Sequence, residues 1–188
     1  MQKIILASQS PRRKQLLQWA EVSFDVILKD TDESYPQHLT PADVAMHIAK
    51  NKATAIKILH GDAVPIVAAD TIVVLAEEII GKPADREDAI KILLKLSGKK
   101  HLVITGVCIL FNNKEIVFAD TTEVEFHVLT QEQIIFYVDN YKPYDKAGAY
   151  AIQEWIGVIG ISSINGDFYN VMGLPVSRVV KELEKLNA

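Results

Sequence analysis

The first residues that could do chemistry are hydroxyls and arginines near the start of the chain. Ser8 and Ser10 precede Pro11, and Arg12 and Arg13 follow it directly. Serine is a good helix N-cap and proline suits the first helical position, so this pattern predicts a helix that begins at Pro11. Free N–H groups at a helix start attract anions, and arginine binds phosphate oxygens. We interpret the segment as a phosphate site, with a solvated basic face or a nucleic-acid patch as the alternatives.

A second candidate is a single acid inside an apolar segment. Asp70 interrupts the apolar run over residues 65–75. A buried, unpaired carboxylate is costly, so Asp70 requires a cation, a metal or hydrogen-bond donors. Lys52 is one available cation, and Gly81-Lys82-Pro83 predicts a turn that presents another. An acid at a strand end, bonded to nearby backbone N–H groups, is an alternative of nearly equal weight.

The elements that must position these residues alternate between short apolar runs and amphipathic segments. This alternation is typical of an α/β domain. We predict strands over residues 3–7, 23–28, 65–75, 101–111, 115–128 and 156–164. We predict helices over residues 11 onward, 41–60, 85–97, 130–138 and 175–186, and a long polar loop over residues 29–39. The strands 101–111 and 115–128 form a hairpin that turns at Asn112-Asn113.

Composition and charge limit the class of protein. The chain has 188 residues, of which 49% are hydrophobic, and this predicts one soluble domain over residues 1–188, with two lobes around a cleft left open. A net charge of -4 argues against a general nucleic-acid binder. No apolar run approaches the roughly 20 residues that span a bilayer, and the apolar start is too short for a secretion signal. We therefore expect a cytoplasmic protein that does not bind membranes.

The number and spacing of the cysteine and histidine residues argue against a zinc site. Cys108 is the only cysteine and lies in an apolar run, so we predict a buried thiol and no internal disulfide. The five histidines show no zinc-site spacing. We expect His101 and His127 to be ordinary surface or edge residues.

The sequence resembles the Maf-like nucleotide pyrophosphatases from the first predicted strand almost to the C-terminus. The resemblance is carried by Ala-Ser-Gln-Ser-Pro-Arg-Arg-Lys from Ala7, by Ala-Asp-Thr-Ile-Val-Val from Ala69 and by Asn-Val-Met-Gly-Leu-Pro from Asn170. Further matching segments are residues 32–33, 49–53, 81–83, 96–98, 104–107 and 145–153. The resemblance implies an α/β fold in which a mixed central β-sheet, flanked by helices, bends around a nucleotide-binding cleft, as in inosine triphosphatase-like proteins.

The resemblance also implies an activity. Such proteins are hydrolases that convert nucleoside triphosphates to the monophosphate and pyrophosphate with a divalent metal, Mg²⁺ or Mn²⁺, and so clean the nucleotide pool. Gln153 is similar to the glutamine of the branch that acts on dTTP and UTP; modified pyrimidine nucleotides stay open as targets. Maf-like proteins are also associated with inhibition of septum formation, so the alternative is a nucleotide-sensing regulator of cell division that acts through a protein partner. The expected partner is the nucleoside triphosphate, and a homodimer stays open.

The resemblance assigns roles to individual positions. Asp70 is the catalytic carboxylate, the proton acceptor for the attacking water, and Glu33 with Asp70 holds the metal. Phosphate binding falls to a set of five residues: Ser8, Arg12, Arg13, Lys52 and Lys82. The positions that distinguish the substrate classes of the family are Arg12, Thr71 and Gln153. Lys142 and Ala151 depart from the family pattern, where glutamate and glycine are usual, so we expect a different loop shape beside Gln153, which bears on substrate preference more than on the reaction.

Overall fold

The computed structural model describes residues 2–186 and contains an α/β arrangement of strands and helices. The strands are β1 (Ile4–Leu6), β2 (Phe24–Val26), β3 (Ile66–Leu75), β4 (Glu78–Ile80), β5 (Lys100–Phe111), β6 (Lys114–Phe126) and β7 (Ile161–Asn165). The helices are α1 (Pro11–Trp19), α2 (Pro41–His60), α3 (Arg86–Leu96), α4 (Gln131–Tyr141), α5 (Trp155–Gly160), α6 (Phe168–Met172) and α7 (Val176–Leu186).

The seven strands form one mixed sheet. Their order is β2-β1-β3-β5-β6-β7, and β4 pairs with β3 off this path. β1 runs parallel to both β2 and β3, with Ile5 opposite Asp25 on one side and Ile66 on the other. β4 is antiparallel to β3, and β7 is antiparallel to β6. The α/β class with a mixed sheet is therefore confirmed.

The chain divides into two compact units. The first unit comprises the residues up to 71, residues 105–120 and the residues from 173 onward. The second unit comprises residues 72–104 and 121–172. The first unit contains β1, β2, α1, α2 and α7, whereas the second contains β4, β7 and helices α3 to α6. β3, β5 and β6 contribute residues to both units.

In the first unit, α2 packs its apolar stripe against the sheet. Thr40 caps the helix by accepting a hydrogen bond from the backbone N–H of Asp43, and Pro41 is its first residue. Buried side chains from the helix and three strands then form one cluster: Ala49, Ala53 and Ile56 from α2, Ile5 from β1 with Ala7 directly after it, Ile66 and Ala68 from β3, and Cys108 and Leu110 from β5. Period-2 spacing along each strand places these residues on one face of the sheet. Cys108 is buried as expected, and burial raises the pKa of its thiol to about 12.

A glycine lets α2 approach β5 closely. A Cβ atom at Gly106 would lie 2.2 Å from the carbonyl carbon of Ala45, which is inside the van der Waals contact distance. Any side chain at this position would force the helix away from the strand. Because α2 also carries Lys52, the close contact at Gly106 helps to set the position of that lysine.

In the second unit, one histidine lies in an aromatic cluster, and the expectation that it is a surface or edge residue is wrong. His101 is 2% exposed on β5, with its ring 5.3 Å from Phe126 and 5.5 Å from Tyr150 between ring centroids. Its Nε2 lies 2.8 Å from the Tyr150 hydroxyl. Burial lowers the pKa of His101 to about 4. The imidazole is therefore neutral at pH 7.

The predicted strand over residues 156–164 is wrong in its first half. Residues Trp155–Gly160 form α5, and only Ile161–Asn165 form a strand, β7. A Cβ atom at Gly157 would lie 1.8 Å from the carbonyl oxygen of Ile152, so the chain folds back tightly here, as an extended strand does not. This local fold-back, which Gly157 permits, therefore overrides the β-propensity of the isoleucine and valine residues. The short elements β4 and α6 were also not predicted.

His101→Gln tests the buried imidazole. The folded-state pKa of about 4 lies below the ordinary value of 6.5, so the unfolded chain binds the proton first as the pH falls. His101 should therefore stabilise the fold above pH 6.5 and lose that contribution between pH 6.5 and 4, by about 3 kcal/mol at most. Urea unfolding at a series of pH values should show that the free energy of unfolding falls less between pH 7 and pH 4.5 in His101→Gln than in the wild type. An equal fall in both proteins would mean that burial does not hold His101 neutral.

Candidate active site

The first unit places the predicted acid and one predicted lysine in direct contact. Lys52 Nζ lies 2.7 Å from Asp70 Oδ1 and 2.7 Å from Glu33 Oε1. The side chains of Lys52 and Asp70 are 19% and 16% exposed, whereas Glu33 is 53% exposed on the loop between β2 and α2. Asp70 therefore has the cation that its burial requires, and the alternative of an acid bonded only to backbone groups does not describe this structure.

The start of α1 has the predicted geometry. Ser10 is the N-cap, and its side chain accepts a hydrogen bond from the backbone N–H of Arg13 at 3.5 Å. Ser8 follows β1, is buried, and accepts a hydrogen bond from the backbone N–H of Ser10 at 3.3 Å. Pro11 occupies the first turn. A serine hydroxyl, a helix start and two arginines thus lie within one turn of chain, and this combination suits an anion.

Arg13 is buried, and its guanidinium donates three hydrogen bonds within the first unit. Nε donates to the carbonyl oxygen of Gly173 at 2.7 Å, and Nη1 donates to Ser8 Oγ at 3.0 Å. Nη2 donates to Thr71 Oγ1 at 3.0 Å. Burial lowers the pKa of Arg13, and the negative charge of Asp70 opposes this shift. Arg12 is less buried and contributes a second positive charge near Arg13.

Thr71 follows Asp70 on β3 and belongs to the same hydrogen-bonded group. Its Oγ1 lies 2.9 Å from Oγ1 of the fully buried Thr105 and 3.4 Å from the carbonyl oxygen of Gly173. Gly173 has φ of 116°, a conformation that favours glycine over other residues. Sequence reasoning gave no role to Thr105 or Gly173. Both residues lie in segments that carry the family resemblance, residues 104–107 and 170–175, and this is the sequence signal that could have identified them.

The carboxylates of Glu33 and Asp70 fit only part of a divalent cation's ligand shell. Within residues 2–186 no group of three or more histidine, cysteine, aspartate or glutamate side chains is arranged to hold a metal ion. Mg²⁺ is commonly held by one or two carboxylates together with water and substrate phosphates. The two carboxylates fit a cation of this kind when a polyphosphate supplies further oxygens.

In the second unit, Gln153 is exposed between well-anchored neighbours. The backbone N–H of Ala151 donates to the Tyr137 hydroxyl at 3.2 Å, and that hydroxyl donates to Glu154. Buried Lys146 pairs with Asp145 at 2.8 Å and lies 3.6 Å from Glu154 Oε1. Hydrogen bonds therefore hold the backbone at Ala151 and the side chain of Glu154, and the exposed Gln153 lies between these two residues.

Gln153 lines a pocket of about 490 Å³ within the second unit. Most of the remaining lining is apolar and includes Ile152, Ile161 and Phe168, and two serines, Ser162 and Ser163, add hydroxyls. A pocket with apolar walls and a few polar groups is typical of a small-molecule site. Lys82 also belongs to this unit; it is exposed and follows Gly81, whose carbonyl accepts from the Gly148 N–H at 3.1 Å.

Comparisons with known proteins identify the family. The Maf-like protein family matches residues 3–186. Two similar proteins, both named dTTP/UTP pyrophosphatase, are from Cytophaga hutchinsonii (51% identical, covering 97% of this chain and 84% of the relative) and Parabacteroides distasonis (49% identical, covering 97% and 95%). The chain therefore belongs to the Maf-like family.

Solved structures agree on the fold. The chain is similar to a HAM1 protein from Coxiella burnetii, with a TM-score of 0.52, 16% sequence identity and coverage of 98% of this chain and 100% of that one. It is also similar to the Staphylococcus aureus Ham1 protein, with a TM-score of 0.52, 18% identity and coverage of 96% and 99%. Within the described residues 2–186, no helix is long and apolar enough to cross a membrane.

Two lysines of α2 that lie off its apolar stripe, Lys50 and Lys52, provide a matched pair of variants. Lys52→Gln should lower turnover of a nucleoside triphosphate by about 100-fold, because a neutral amide neither neutralises phosphate nor pairs with Asp70. Lys50 is the control, since it is half exposed and pairs with Glu115 at 2.7 Å. Lys50→Gln should retain the wild-type rate. Steady-state kinetics beside thermal unfolding measures both variants, and equal rates for the two would remove Lys52 from the site.

Proposed function

We propose that this protein hydrolyses dTTP and UTP to the nucleoside monophosphate and pyrophosphate. The observation that carries the proposal is Asp70, an acid inside an apolar strand that pairs with Lys52 at 2.7 Å, in a chain 51% identical to a dTTP/UTP pyrophosphatase. The proposed role is to remove surplus or modified pyrimidine nucleotides from the cytoplasmic pool before polymerases use them.

The chemistry requires charge neutralisation and one aligned water, because phosphoanhydride hydrolysis needs little covalent assistance from the protein. Asp70 accepts a proton from the water while the water oxygen forms a bond to the α-phosphorus. The bond from that phosphorus to the bridging oxygen breaks, and pyrophosphate leaves with the electron pair. Lys52 orients the Asp70 carboxylate before the reaction and balances phosphate charge during it.

The remaining residues bind the phosphates. Arg12 and the N–H groups at the start of α1 offer donors to phosphate oxygens, and Ser8 adds a hydroxyl. Lys82 supplies a further cation. A divalent cation, Mg²⁺ or Mn²⁺, would be held by Glu33 and Asp70 and would supply charge neutralisation at the phosphates. Arg13 contributes its positive charge from a buried position.

Base recognition is assigned to Gln153 and its pocket. Uracil and thymine present an acceptor, donor, acceptor edge, and the Gln153 amide can accept from N3–H while it donates to a neighbouring carbonyl. The apolar walls suit a flat pyrimidine ring. Arg12 and Thr71 are expected to contribute to the same choice of substrate.

Isotope labelling tests the proposed reaction. In water enriched in ¹⁸O, attack at the α-phosphorus places the label in the monophosphate, whereas attack at the β-phosphorus places it in pyrophosphate. We expect the label in dTMP and UMP, one pyrophosphate for each monophosphate, and no product from a folded Asp70→Asn variant. Mass spectrometry of the separated products gives the answer, and stoichiometric release of nucleoside diphosphate would overturn the proposal.

Gln153→Glu tests base recognition. A carboxylate suits the two adjacent donors of guanine but repels the O4 carbonyl of a pyrimidine. The ratio of catalytic efficiency for UTP to that for GTP should fall by about 10-fold, since an unpaired buried polar group costs about 1–3 kcal/mol. The ratio for UTP to 7-methyl-GTP should fall in the same direction.

The matched control for this variant is Gln131→Glu, which adds the same charge at the exposed first residue of α4 in the same unit. It should leave both ratios unchanged. If Gln153→Glu also leaves them unchanged, Gln153 does not read the base.

A further inference from the structure

Arg13 is expected from the sequence to bind phosphate, but most of its hydrogen-bonding capacity is used inside the protein. A guanidinium has five N–H donors, and three of these are engaged by Gly173, Ser8 and Thr71 at 2.7–3.0 Å. The residue is only 9% exposed. Its three acceptors follow β1, lie on β3 and follow α6, so one side chain connects three separate segments of the first unit.

The hydroxyl of Thr71 likewise uses its hydrogen-bonding capacity inside the protein. A hydroxyl has one proton to donate and two lone pairs to accept with. An arginine N–H only donates, so Thr71 Oγ1 accepts from Arg13 Nη2. The Thr71 proton then goes either to the carbonyl oxygen of Gly173 or to Thr105 Oγ1. In both arrangements no Thr71 proton remains for a substrate oxygen.

Thr71 directly follows Asp70 on β3, so the hydrogen bonds of Thr71 hold the backbone next to Asp70. Successive side chains of a strand point to opposite faces, so Asp70 reaches Lys52 while Thr71 reaches Arg13 and Thr105. Anchoring Thr71 fixes the strand at the adjacent residue and hence the direction of the Asp70 carboxylate.

We propose that Arg13 is a positioning residue, which holds Thr71 and through it the Asp70 carboxylate in the reactive orientation, and that it does not bind phosphate. Thr71 then influences substrate choice through its position and not by donating a hydrogen bond. The inference rests on the proposed pyrophosphatase function and adds to it how the catalytic acid is aligned.

Kinetics separate a positioning residue from a phosphate ligand. Arg13→Lys keeps the charge, but a single ammonium nitrogen lacks the planar fork of donors that reaches three separate acceptors. Thr71→Val replaces only the hydroxyl with a methyl group. Each should lower kcat for dTTP at least 10-fold, with KM and the inhibition constant of pyrophosphate within about 3-fold of wild type. Thr71→Ser, which keeps the hydroxyl, should restore most of kcat. Arg12→Lys is the comparison, and it should mainly raise KM.

The double variant Arg13→Lys/Thr71→Val should be no slower than the slower single variant, because both changes break the same connection. A phosphate-binding Arg13 would give the opposite pattern. KM and the pyrophosphate inhibition constant would rise about 10-fold with kcat retained, and the effects of the two changes would multiply. That pattern, or failure of Thr71→Ser to recover kcat, would overturn the proposal.

Stability measurements test the connection independently of turnover. The changes in unfolding free energy for Arg13→Lys and Thr71→Val should be non-additive in the free protein. If the wild type hydrolyses no nucleotide, the proposed function is wrong. Independently of that result, additive changes in unfolding free energy would contradict the positioning role of Arg13. If Arg13→Lys does not fold, Thr105→Val replaces it in the cycle with Thr71→Val, with the same non-additive result expected.

Discussion

The constraint on which the rest of the first unit depends is a carboxylate within an apolar strand. Asp70 lies in β3, where the four preceding residues are buried. A charge in such surroundings is tolerated only with a partner in contact. Lys52 provides that partner at 2.7 Å, but only because α2 lies at the correct distance and rotation. The buried stripe of α2 sets the rotation, and the absence of a side chain at Gly106 sets the distance.

Much of the fold follows from local signals in the sequence. Ser10, Thr40 and Thr130 mark helix starts, and in the structure each accepts a hydrogen bond from a backbone N–H in the first turn. The hairpin turn at Asn112-Asn113 is also confirmed, with positive φ at both residues. These signals are reliable because they act within a few residues. The helix α5 could not be predicted in the same way, because its isoleucine and valine residues favour a strand and the residue before it, Glu154, makes no side-chain cap.

The sequence indicated several residues of the candidate site, but it did not indicate all of the hydrogen bonds that join them. Ser8 and Arg13 stood out because they lie beside a predicted helix start, and Asp70 because it interrupts an apolar run. Lys52 lies within α2 and was assigned mainly from the family resemblance. One partner of Arg13 did not stand out, since Gly173 is 160 residues away and leaves no local signal. Thr105 is likewise a fully buried residue in an apolar strand, and only the folded chain places its hydroxyl beside Thr71. The catalytic, phosphate-binding, metal-binding and substrate-selecting roles of all the predicted site residues stay predictions.

The buried thiol on β5 has a practical consequence. Cys108 is the only cysteine of the chain, it is buried, and its pKa of about 12 keeps it protonated in ordinary buffers. The thiolate of an accessible cysteine is the nucleophile that attacks maleimide and iodoacetamide reagents. The native chain therefore offers almost no background reactivity, and one cysteine introduced at an exposed position can carry a fluorophore or spin label without prior removal of Cys108.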